Sequence, residues 1–163
     1  MSAPDYLPLE PGLRLEYAVS RAQETRELHV EHLPAPGGGV LLRRTWTAAD
    51  GAKEAETSRA EKRADGVYVD GELLLPEPPR PGAEWLHPPR SYRVESAGAP
   101  ASTPAGKFAD CLRVSYLIAG GDAGCGERLY APGVGLVWER CADEADPFEV
   151  ALTAFARGAG AVR

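Results

Sequence analysis

The chain lacks most of what would announce a membrane helix, a nucleic-acid surface or a familiar reaction. No run approaches the ~18 consecutive apolar residues that a spanning helix requires, so no transmembrane segment is expected. Cations are in deficit: 18 Lys and Arg stand against 24 Asp and Glu, a net charge of −6. Binding nucleic acid needs clustered cations to displace counterions from phosphates, so no nucleic-acid partner is expected. Arg43, Arg44, Arg59, Lys62 and Arg63 are interleaved with Glu54, Glu56 and Glu61, which reads as a mixed, solvated face. The opening MSAPDYLPLEPG carries neither the basic nor the apolar region of a secretory leader. Two locations stay open: the cytoplasm, if Met1 is the native start, or the cell envelope, if a leader was removed ahead of it.

Catalytic motifs are missing as well. There is no G-x-S-x-G, no P-loop, no dinucleotide-binding glycine pattern and no H-E-x-x-H. Gly120-Gly121-Asp122-Ala123-Gly124 has the glycines of a phosphate cradle without the following Lys or helix, and reads as a hairpin loop. The expectation leans against an enzyme, with no cofactor.

Fifteen Pro and eighteen Gly cut the chain into pieces too short for long helices. Most pieces alternate with period two. Leu13, Leu15, Tyr17 and Val19 share a face, as do Leu28 and Val30, and Val40, Leu42 and Trp46. Further on, Tyr92 pairs with Val94; Leu112, Val114, Tyr116 and Ile118 align, and so do Val134, Leu136 and Trp138. Closed by Asp-Gly, Gly-Gly or Pro-Gly turns, these runs predict an all-β fold. The expected architecture is a single curved antiparallel sheet of about ten strands, an open or closed barrel or half-barrel with little helix. Residues 52–64 favour helix by composition but have no apolar stripe, and are read as a polar strand, placed at an edge. The Pro-rich crossing 76–90 is too stiff for a central strand and would join two meander halves of one β-domain covering residues 1–163.

Candidate sites are few. On a strand, His29 and His32 point to opposite faces, so they cannot share an ion. Glu27, His29 and Glu31 do share a face and are the candidate metal set, although solvated cross-strand pairing is the plainer reading. His87 is read as loop. Among the aromatics, Trp46, Trp85, Tyr92, Tyr116 and Trp138 are the candidate ligand-binding residues, lining an apolar pocket if they do not simply fill the core. The turn Ala131-Pro132-Gly133-Val134-Gly135 suggests a tight hairpin. If it is centred on Gly133, Cys125 opposes Cys141, with Cα atoms about 4.5 Å apart and a disulfide within reach. That bridge would close a loop worth roughly 3 kcal/mol and would imply an oxidising compartment. Cys111 is read as a small buried hydrophobe.

Pro104-Ala105-Gly106, Phe108, Asp110-Cys111 and the run Tyr130 through Val137 together resemble a pattern found in uncharacterised bacterial envelope proteins and lipoproteins. The resemblance implies an antiparallel sheet curled into a barrel, similar in general shape to lipoprotein-carrier half-barrels. It attaches no catalytic residue, and the Cys125/Cys141 pair is not part of it. The functional expectation is a non-catalytic binding domain, for a small apolar or amphipathic molecule within the sheet or for a partner protein of the envelope. The alternatives are a structural envelope module with a filled core, and a metal-dependent hydrolase using the Glu27/His29/Glu31 face.

Overall fold

The computed structural model describes residues 4–118, 124–142 and 146–157. Most of the glycine link read as a hairpin loop, Gly120 to Ala123, lies outside them. The twelve strands are β1 (Leu13–Arg21), β2 (Thr25–Pro34), β3 (Val40–Thr47), β4 (Lys53–Arg63), β5 (Gly66–Val69), β6 (Glu72–Pro76), β7 (Glu84–His87), β8 (Arg90–Thr103), β9 (Gly106–Ile118), β10 (Cys125–Ala131), β11 (Gly135–Cys141) and β12 (Phe148–Arg157). All join one antiparallel sheet, nearly closed into a barrel, in the order β6-β5-β4-β3-β2-β1-β12-β11-β10-β9-β8-β7. There is no helix among the described residues. The all-β reading holds, with two strands more than expected.

Chain neighbours pair throughout except at one place, between β6 and β7. The first and last strands instead pair with each other, Leu13 opposite Arg157 through Arg21 opposite Phe148. The sheet therefore has its two edges in the middle of the sequence, at the Pro-rich crossing. Pro78, Pro79 and Pro81 have no N–H to offer a ladder, and both edge strands are short, which ends pairing there. The crossing is not all loop: it contains β7, and His87 lies on that strand. Across the seam the His87 imidazole meets the Glu72 carboxylate.

The polar segment 52–64 forms β4, a strand as expected, but not an edge. It pairs with β3 on one side and β5 on the other. Its first five residues are exposed, on both faces of the sheet.

Except for the Val134, Leu136 and Trp138 run, the period-two stripes point inward. Leu13, Leu15, Tyr17 and Val19 on β1, Leu28 and Val30 on β2, and Val94, Leu112 and Val114 on β8 and β9 are all buried. One end of the barrel is closed by the segment ahead of β1. The Asp5 carbonyl accepts from the Gly133 amide at 2.8 Å, and the Gly12 amide donates to the His32 carbonyl at 2.9 Å. Held at both ends, this strap buries Tyr6 beside Leu75 and Tyr92, and packs Leu9 against Val40 and Leu42.

The hairpin of β10 and β11 turns where the sequence placed the turn, and Ala131 opposes Gly135. A bulge then adds one residue to β11, so Leu129 faces Trp138 and Cys141 faces Gly126, not Cys125. A one-residue slip sends side chains to opposite faces of a sheet. Cys125 is exposed, Cys141 is buried, and both are free thiols, so the expected disulfide does not form. Cys111 is buried, as its sequence setting suggested.

Candidate functional site: a barrel cavity with a cationic side

Inside the curled sheet lies a cavity of about 320 Å³. Strap residues Leu7 to Leu9 form its floor, and inward positions of β1, β2, β3, β5, β6, β10, β11 and β12 form its wall. Most of that wall is aliphatic. At the end away from the strap, the partly exposed side chains of Arg21, Trp46, Arg90 and Phe148 form the rim.

On one side of the cavity, polar groups gather around Glu139 on β11, whose side chain is only 7% exposed. The Tyr116 hydroxyl donates to its Oε2 at 2.7 Å. Arg128 Nε lies 3.1 Å from Oε1, but its N–H is aimed off line and makes no hydrogen bond. Arg90 Nη1 stands 3.9 Å from the same carboxylate. Both guanidinium groups also lie over aromatic rings, Arg90 at 4.5 Å from the Tyr116 centroid and Arg128 at 5.3 Å from that of Tyr92. Burial, reinforced by the Glu139 charge, pushes the Tyr116 phenol well above its ordinary range, so it stays a hydrogen-bond donor. Burial does the same to Tyr17, whose hydroxyl donates to the Leu136 carbonyl at 2.7 Å.

Across the cavity, β3 contributes Arg44. Its Nη1 donates to Ser58 Oγ at 3.0 Å, and no carboxylate among the described residues pairs with it. Beside it, His32 is buried with Nδ1 lacking any partner. Burial first, and then the Arg44 charge, pull its pKa down to about 4, so the imidazole is neutral at pH 7.

The residues singled out from sequence divide. Trp46 reaches the cavity rim. Trp85, Tyr92 and Tyr116 come together in one stack, with Trp85 on Tyr92 at 5.2 Å and Tyr92 against Tyr116 at 5.4 Å. Trp138 does not join them: the β11 bulge turns it away from Leu136, and its Nε1 donates to the exposed Glu149 at 2.8 Å. Glu27, His29 and Glu31 do share a face of β2, but it is the solvent face. Glu31 is taken by Arg43 at 2.7 Å and His29 faces Glu16 at 3.9 Å. Among the described residues no cluster of three or more His, Cys, Asp or Glu is arranged to hold a metal.

Sequence reasoning missed Arg44, Arg90, Arg128 and Glu139. The signal for Arg44 was present, since it falls between Leu42 and Trp46 on the inward stripe. Grouping it with the surface charges around it concealed the alternation.

Fold and cavity together define the class: a nearly closed antiparallel β-barrel, strapped at one end, whose mainly aliphatic cavity carries arginines on two sides. No family model matches the chain, and no curated protein sequence matches it. Two solved structures share its fold. One is a "putative exported protein with YMCC-like fold" from Bacteroides fragilis, 16% identical, with a TM-score of 0.64 over 95% of this chain and 100% of that one. The other is a "putative lipoprotein" from Parabacteroides distasonis, 14% identical, with a TM-score of 0.55 over 96% of this chain and 100% of that one.

Proposed function

We propose that the protein is a non-catalytic carrier or receptor for a small apolar or amphipathic molecule held inside the barrel. The observation that carries this reading is the cavity itself, about 320 Å³ with a mainly aliphatic wall. Ligand pockets run from about 300 to 1,000 Å³, so this one suits a compact or single-chain molecule. A purely structural module would be expected to fill that space with side chains, since interiors otherwise pack densely. The names of the two structural neighbours speak of export and lipoproteins, and by analogy we place this chain in the cell envelope.

The test is titration with phenylnaphthylamine, a neutral apolar fluorophore. Saturable enhancement is expected, and it should be lost in Val30→Trp and in Leu42→Trp, each of which fills the cavity from a different strand. Circular dichroism of both variants checks that the sheet survives. A linear, unsaturable response from the wild type would defeat the reading.

A further inference from the structure

We propose that the molecule bound in the barrel is a single-chain amphiphile with an anionic oxygen head group, carboxylate or phosphate, held by Arg44, Arg90 and Arg128. This rests on the reading of the cavity as a ligand site. Four guanidinium groups line the cavity and its rim, those of Arg21, Arg44, Arg90 and Arg128, and Glu139 is the one carboxylate among the described lining residues. Arg21 is already engaged by Asp146 at 2.5 Å, which leaves the other three.

The single carboxylate does not satisfy the three arginines. Glu139 lies 3.1 Å from Arg128 but leaves its Nε without a hydrogen bond, and it stands 3.9 Å from Arg90. Arg44, on the other side, has only a neutral hydroxyl. Arg128 is largely buried and Arg44 and Arg90 are partly so; cations withdrawn from water without enough counter-charge are costly, and a bound anion would relieve that cost. The planar fork of a guanidinium suits carboxylate and phosphate oxygens, which accept two parallel hydrogen bonds. A cationic ligand would meet like charge. A neutral, wholly apolar ligand would bury these groups further with nothing to accept from them. The aliphatic wall takes the rest of the molecule, which therefore needs an apolar chain as well as its charged end.

Isothermal titration calorimetry of the full chain with dodecanoate, dodecyl phosphate, dodecanol and dodecylammonium, all below micelle formation, tests this. The two anions should bind about tenfold or more tightly than dodecanol, as hydrogen bonds to a charged group imply. Dodecylammonium should bind weakest. The partly exposed positions carry the mutational arm: Arg44→Gln and Arg90→Gln should each erase most of the preference for the anions over dodecanol. Whichever anion binds more tightly identifies the head group. Equal affinity for dodecanol and the anions would overturn this inference and leave the ligand-site reading standing. An anion preference that survives both substitutions would overturn the assignment to these arginines. If none of the four binds, and phenylnaphthylamine does not either, both readings fall together.

Discussion

Glu139 and Arg128 show how a buried pair costs more to break than it contributes. Both are largely withdrawn from water, at 7% and 13% exposure. Removing one partner leaves the other charge buried and unanswered, which typically costs about 3 kcal/mol or more. Glu139→Gln should therefore lower unfolding free energy by about 3 kcal/mol in urea titrations. The double variant Glu139→Leu with Arg128→Met should recover most of that loss, because two packed apolar groups need no counter-charge. His32 makes a second prediction at this scale. Its folded pKa of about 4 lies below the ordinary 6.5, so between those values the unfolded chain binds the extra proton. The stability this contributes is complete above about pH 6.5 and is lost as pH falls toward 4. His32→Leu lacks that titration. Between roughly pH 7.5 and 4.5 it should lose about 2 kcal/mol less than the wild type, read from urea midpoints.

At the scale of elements, the bulge in β11 decides the most. One extra residue moves Cys141 from Cys125 to Gly126, and turns Trp138 outward while Glu139 turns inward. In the folded protein Cys125 should react readily with iodoacetamide, while Cys111 and Cys141 should react only after unfolding, as peptide mapping would show. Recovery of a Cys125–Cys141 linkage would contradict the register. Gly126 has its own reason to lack a side chain. A Cβ there would run into the ring of Tyr116 and come within 2.8 Å of the Arg140 carbonyl. The ring cannot withdraw without giving up its hydrogen bond to Glu139. Gly126→Ala should cost about 2 kcal/mol, the usual scale of overpacking, with an unchanged urea m-value.

For the whole molecule, the pairing of β1 with β12 brings the first and last strands together and leaves the open seam in the middle of the sequence. Closure at one end of the barrel then falls to the strap ahead of β1. Tyr6 is 7% exposed and sits in the same cluster as Leu75, Tyr92 and Tyr116. Tyr6→Ala should destabilise the protein by about 3 kcal/mol and raise the rate at which phenylnaphthylamine exchanges, because it loosens the cavity floor. Destabilisation below about 1 kcal/mol would show that the strap is not part of the cooperative core.

What local chemistry determines was legible in the chain. Alternating apolar residues with Gly and Pro turns dictated strands, the inward faces outside β11 and the β10–β11 turn, because side-chain direction along a regular strand follows position alone. The same rule placed His29 and His32 on opposite faces. Residues 52–64 were legible as a strand because they offered a helix nothing to bury. The rest depended on contacts between distant residues. That β4 is interior follows from β5 returning beside it, which its own composition does not encode. The bulge is a matter of one residue, fixed by how β11 sits between β10 and β12. Most of all, the cationic side of the cavity arises because closure of the sheet brings β3, β8, β10 and β11 around one space. In sequence Arg90, Arg128 and Glu139 look like ordinary surface charges, and Arg44 differs only in its place on the inward stripe; only the curled sheet withdraws them, wholly or in part, from water and makes them answer to one another.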